Sequence, residues 1–158
     1  MGSLARQGAS RDTPRAVEAA GAAAVGIRRP SELDGLDGLI IPGGESTAID
    51  KLARAFELAG PLKDRIRDGL PVYGSCAGMI LLADAIADPA TDLAGNPQQT
   101  FGGLDITVRR NAFGRQRESF EADLDSAGLP GDQMRAVFMR ARRIDHVTAP
   151  PGAMAGVG

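Results

Sequence analysis

The chain has one cysteine and one histidine in 158 residues. A lone cysteine cannot close an internal disulfide, and one thiol with one imidazole falls short of the ligand count of a zinc site, so no metal or other cofactor is expected. Positive charge is not in excess either: 18 Lys and Arg against 20 Asp and Glu leave a formal net charge of -2, without the broad basic field of a nucleic-acid binder. No apolar run reaches membrane-spanning length, and the first residues lack the apolar core of a signal peptide. There is no internal repeat. A cytoplasmic protein that engages neither membrane nor nucleic acid is therefore expected. Hydrophobic residues make up 43% of the chain and charged residues 24%, enough for one domain with a real core.

What is present alternates between strand and helix signals through the first 90 or so residues. Asp12 or Thr13 can cap a helix that Pro14 opens and Gly21 closes, and Val25 with Ile27 read as a strand. Leu39, Ile40 and Ile41 form a short apolar run ending at Pro42, Gly43 and Gly44, as a strand buried on both faces would. Ser46 or Thr47 then caps a helix carrying Ile49, Leu52, Phe56 and Ala59 on one face, with Gly60 and Pro61 as its stop. Leu62 and Ile66 predict a further helical piece ending at Gly69. Leu70 to Tyr73 predict the next strand, and the run from Met79 to Ile86 a largely buried helix.

Asp88 to Gly103, rich in proline and glycine, reads as a long surface loop. Leu104, Ile106 and Val108, then Phe120, Ala122 and Leu124, then Ala136 to Met139 predict strands that are antiparallel in part. His146 reads as a loop residue, and residues 148–158 as an irregular tail. Alternation of this kind predicts an α/β fold with helices on both faces of a parallel sheet, in which functional turns lie at the carboxyl ends of strands.

Cys76 occupies such a turn, between Gly74, Ser75 and Ala77, Gly78. A strand that turns sharply into a helix exposes the residue at the bend, and flanking glycines give the backbone room. A thiol there faces the positive end of the following helix, which favours thiolate. The alternative is that Cys76 is a small buried hydrophobe. For a thiolate attacking an amide, the backbone N–H groups of Gly44 and Ala77 are suitable oxyanion donors, although Pro42, Gly43 and Gly44 taken alone also suit an ordinary loop. Arg110 alone would pass for a solvated charge at a strand end.

Three blocks in collinear order carry a resemblance: Pro42 to Thr47, Gly74 to Met79, and Arg110 to Gln116, supported by Ser119 to Glu121 and Val137 to Ala141. Together they resemble the glutaminase subunit of the pyridoxal 5'-phosphate synthase complex, within the triad-type (class I) glutamine amidotransferases. The resemblance implies a flavodoxin-like three-layer α/β/α sandwich with a mixed, mainly parallel sheet over residues 1–147. It implies that Cys76 hydrolyses L-glutamine through a thioester, and that ammonia passes to a synthase subunit in a hetero-oligomer. Matching positions place Gly44, Glu45 and Ser46 along the glutamine, Arg110 on its carboxylate side, and Met139 and Arg140 at the pocket wall. Gln7 and Gly8 match a turn near where the partner docks.

Two departures from the family pattern carry expectations of their own. The family completes its triad with a His-x-Glu pair beyond the last matching strand, and His146 does not match it, lacking a glutamate two positions on. At the amino end, Ser3 and Arg6 stand at usually apolar places, so the first strand is expected to be short and weak. The domain then reads as incomplete at both ends and its glutaminase activity as very weak. A non-catalytic glutamine-binding or synthase-docking module remains the alternative.

Overall fold

In the computed structural model, the described residues are 1–4, 12–92, 94–109, 120–124, 134–138 and 143–147. Four strands, β1 (Gly2–Leu4), β2 (Val25–Ile27), β3 (Leu39–Ile41) and β4 (Val72–Gly74), form an all-parallel sheet in the order β2-β1-β3-β4. That is the flavodoxin-like order, with a topological switch between β1 and β3. The helices are α1 (Asp12–Ala19), α2 (Ser46–Ala55), α3 (Ala59–Arg67) and α4 (Ala77–Leu82), with a 3-10 turn at Pro30–Leu33. Beyond them come β5 (Ala83–Ile86), β6 (Leu104–Arg109), β7 (Phe120–Leu124), β8 (Met134–Phe138) and β9 (Arg143–Val147). β5 runs parallel to β6, β6 antiparallel to β9, and β7 antiparallel to β8.

β1 is as short as expected but not peripheral: it pairs with β2 on one side and β3 on the other, and its residues are buried. The cost of a polar residue there is visible, since the buried Ser3 hydroxyl has no hydrogen-bond partner among the described residues. Leu4, Ile27, Leu39 and Ile41 pack from the sheet against Ile49, Leu58, Leu62 and Leu81. Each such side chain contributes about 1.5–3 kcal/mol of burial.

Several boundaries differ from the sequence reading, among them the start of α1 and the ends of β4 and β8. α2 has Glu45, not Ser46 or Thr47, at its N-cap, and it stops at Ala55, where Glu57 turns the chain with φ 58°. Gly60 and Pro61 accordingly open α3 instead of closing α2; in a first helical turn the missing proline N–H has no intrahelical acceptor to lose. The apolar run after Cys76 divides as well, with helix only to Leu82 and strand from Ala83 to Ile86. Short apolar runs suit both states, and pairing with β6 decides here for strand. His146, expected in a loop, lies on β9 opposite Thr107 of β6.

α4 joins the two parts of the core: Ala77, Leu81 and Leu82 pack with the four-stranded sheet, while Ile80 packs with Ala83, Ile106 and Val108. Its first turn sits directly on the sheet. A methyl group at Gly78 would collide with the carbonyl oxygen of Ile41, and one at Gly74 would stand 2.6 Å from the Gly78 carbonyl carbon. Between these glycines Cys76 adopts φ 53°, ψ -103°, a backbone state that L-residues rarely adopt.

Two stability measurements follow from this turn. Urea unfolding of Gly78→Ala is expected to show a loss of about 2 kcal/mol or more, because the colliding atom is backbone. Cys76→Gly is expected to be about 1 kcal/mol more stable than Cys76→Ala, since glycine relieves the strain at this φ.

Candidate active site

The first two turns of the site come from the ends of adjacent parallel strands. β3 and β4 pair in register, Ile41 opposite Gly74, and the Ser75 N–H continues the ladder by donating to the Ile41 carbonyl at 3.1 Å. The chain therefore leaves both strands at the same level. A methyl group at Gly43 would stand 3.4 Å from the Cys76 Cβ and 3.8 Å from the Ser75 carbonyl oxygen. Gly43 thus lies against the elbow, so this glycine turn adjoins Cys76.

Cys76 is exposed. It stands at the N-cap of α4, while the residue after it, Ala77, is fully buried. The Gly78 N–H donates to the Ser75 carbonyl at 2.8 Å and closes the turn under the thiol. This is a strained strand-to-helix bend that presents the thiol to solvent, and the buried-hydrophobe alternative is excluded. Gly44 is exposed and holds φ 149°, within the region that favours glycine.

Glu45 is exposed, and Thr47 Oγ1 donates to its Oε1 at 3.1 Å. Ser46, by contrast, is fully buried, and its hydroxyl donates to Gln98 Oε1 at 3.4 Å. Whatever Ser46 presents toward the turn is therefore its backbone. Arg110, Met139 and Arg140, and likewise Gln7 and Gly8, lie outside the described residues.

Sequence reasoning missed a polar group behind this turn. Asp50, on α2, is 1% exposed and accepts from Arg54 Nε at 3.1 Å and Nη2 at 3.0 Å, and from the Gln99 backbone N–H at 3.2 Å. Gln98 is 7% exposed and Phe101 5%, so the far end of the 88–103 segment is folded into the core and is not wholly a surface loop. The i, i+4 spacing of Asp50 and Arg54 was the available signal for half of this group; Gln98 and Gln99, in an aperiodic stretch, offered none.

A cleft of about 330 Å³ opens between α2 and this segment, with Glu45, Asp50, Arg54, Asp92 and Gln98 in its walls. Its walls share Glu45 with the glycine turn but do not include Cys76. Asp92 closes the outer rim by accepting the N–H groups of Ala94 at 2.9 Å and Asn96 at 2.8 Å. The Asn96 backbone N–H and then its side chain are the main causes that hold the Asp92 carboxyl below its usual value of 3.8. Among the described residues no cluster of His, Cys, Asp and Glu could hold a metal, and no helix is long and apolar enough to cross a membrane.

An exposed cysteine on a strained elbow, beside a glycine turn, is an arrangement suited to acyl transfer. A solved structure described as a crystal structure of glutamine amidotransferase superposes with a TM-score of 0.78 at 41% identity, over 92% of this chain and 74% of that one. The pyridoxal 5'-phosphate synthase subunit PdxT of Arthrobacter sp. (strain FB24) is 71% identical over 154 residues, which cover 93% of this chain and 65% of the relative. The PdxT subunit of Streptomyces avermitilis is 52% identical over 158 residues, all of this chain and 76% of that protein. The chain thus spans a little under two thirds of the length of its Arthrobacter relative. Residues 3–154 match the family described as the SNO glutamine amidotransferase family. With the elbow, the glycine turn and the strand order in place, the chain belongs to the SNO glutamine amidotransferase family.

Proposed function

We propose that the protein is the glutaminase part of a pyridoxal 5'-phosphate synthase, releasing ammonia from L-glutamine for a synthase subunit with which it forms a hetero-oligomer. The observation that carries this reading is the packing of the Gly43–Gly44 turn against an exposed Cys76 on a strained elbow. The PdxT relatives are named as subunits of a pyridoxal 5'-phosphate synthase, which supports the reading of a synthase partner.

In the reaction, the Cys76 sulfur attacks the side-chain amide carbon of glutamine, and the carbonyl oxygen takes up negative charge. The N–H groups of Gly44 and Ala77 receive that oxyanion; one such donor is worth about 2.7–4 kcal/mol at the transition state. Collapse breaks the C–N bond, the nitrogen takes the proton that the Cys76 thiol gave up and leaves as ammonia, and a glutamyl thioester remains on Cys76. The family's His-x-Glu pair, which would carry that proton, has no match in these 158 residues, and turnover by them alone is read as very weak. Water then adds to the thioester, releasing glutamate and returning the thiol. Glu45 and the backbone of Ser46 line the amino-acid end of the substrate. Arg110 would grip its carboxylate as a planar fork, with Met139 and Arg140 closing the wall. Residues 1–147 are read as this amidotransferase domain, located in the cytoplasm with its synthase.

Incubation with L-6-diazo-5-oxonorleucine, a glutamine-like diazo ketone, followed by peptide mass spectrometry is expected to place one adduct on Cys76. L-Glutamine is expected to slow the labelling and D-glutamine to leave it unchanged. Labelling that ignores an excess of L-glutamine would remove glutamine from the proposal.

A further inference from the structure

The Gly44–Glu45–Ser46 turn is fastened from behind by a distant segment of the chain. Ser46 is turned inward and fully buried, and its hydroxyl meets Gln98 Oε1, 52 residues further along the chain. The next residue, Gln99, donates its backbone N–H to the buried carboxylate of Asp50, one turn further along α2. Asp50 is itself held by both Nε and Nη2 of Arg54. The 98–99 segment is thus fastened to the first two turns of α2 at two points, directly behind the exposed residues Gly44 and Glu45. Gln98 also keeps its Nε2 buried with no partner among the described residues. A buried amide donor left unpaired is costly, and a site tolerates it where the rest of the amide is needed.

We propose that Gln98 is a positioning residue for the glutamine site. Through Ser46 it sets the Glu45 contact and the Ser46 backbone at the amino-acid end of the substrate, and so controls binding of the amino-acid substrate without touching it. The proposal rests on the glutamine reading above. Its effect belongs to substrate affinity, because the elbow that presents Cys76 is built from β3, β4 and α4 and does not include Gln98.

The test uses the full chain and saturation kinetics of Cys76 labelling by L-6-diazo-5-oxonorleucine, which separates the binding constant KI from the maximal rate kinact. Gln98→Leu is expected to raise KI roughly tenfold, the scale of one buried hydrogen bond and its orphaned partner. The maximal rate, and the rate with iodoacetamide, which reports only on the thiol, are expected to stay within about twofold of the unmodified chain, since the elbow is intact. Ser46→Ala is expected to match it, and the double variant to be no worse than either single one, as residues acting through one contact are not additive. If circular dichroism shows that Gln98→Leu does not fold, Gln98→Asn, whose amide is one methylene too short to reach Ser46, is expected to show the same rise in KI. An unchanged KI in a folded variant, with a lowered melting temperature, would make Gln98 merely structural and overturn the proposal. Additive effects of the two substitutions would overturn it as well. Absence of saturation in the unmodified chain would instead defeat the glutamine reading, and the proposal with it.

Discussion

The site depends on one close approach of backbone to backbone, where the first turn of α4 rests on the end of β3 with Gly78 against the Ile41 carbonyl. No side chain fits between them. Because the helix begins this near the sheet, the chain leaving β4 has only Ser75 and Cys76 in which to reverse direction, and Cys76 makes the bend at φ 53°. The strain is of order 1–3 kcal/mol and must be held by its surroundings. The burial of Ala77, Ile80, Leu81 and Leu82, reaching into both parts of the core, supplies that hold.

The same contact accounts for the second turn. Parallel pairing ends β3 and β4 at one level, so Gly43 lies against the Cys76 elbow while Gly44 stays exposed beside it. Parallel strands in the flavodoxin-like order place such turns along a common edge, and side chains there are free for chemistry because the core lies below them. The turn itself is supported from behind by polar contacts: Ser46 to Gln98, and Asp50 to Gln99 and Arg54. A buried carboxylate held by a two-pronged guanidinium and a backbone N–H favours one arrangement over many, since each donor must stay in place to offset its desolvation.

Much of this was legible in the residues. β2 and β3 coincide with their short apolar runs, and the glycine-flanked cysteine foretold both the elbow and its exposure. Local chemistry suffices there, because a glycine that must admit a neighbouring backbone leaves its mark in the sequence. The failures share a cause. Ile86 belongs to a strand and Gly60 to the start of a helix because of what each segment packs on, and pairing between distant segments has no local signature. Ser46 was read as a cap of α2, yet it is the helix's first residue and its side chain faces Gln98, a partner visible only after folding. β9, with His146 opposite Thr107, went unforeseen for the same reason.

The central claim is that the turns after β3 and β4 form one site for the side-chain amide of glutamine. A crystal structure of Cys76→Ala with L-glutamine tests it most directly. The account predicts the amide carbon within roughly 3–3.5 Å of where the sulfur would stand, with the amide oxygen accepting from the N–H groups of Gly44 and Ala77. Glutamine bound elsewhere, for instance in the cleft between α2 and the 90–98 segment with the elbow empty, would contradict it.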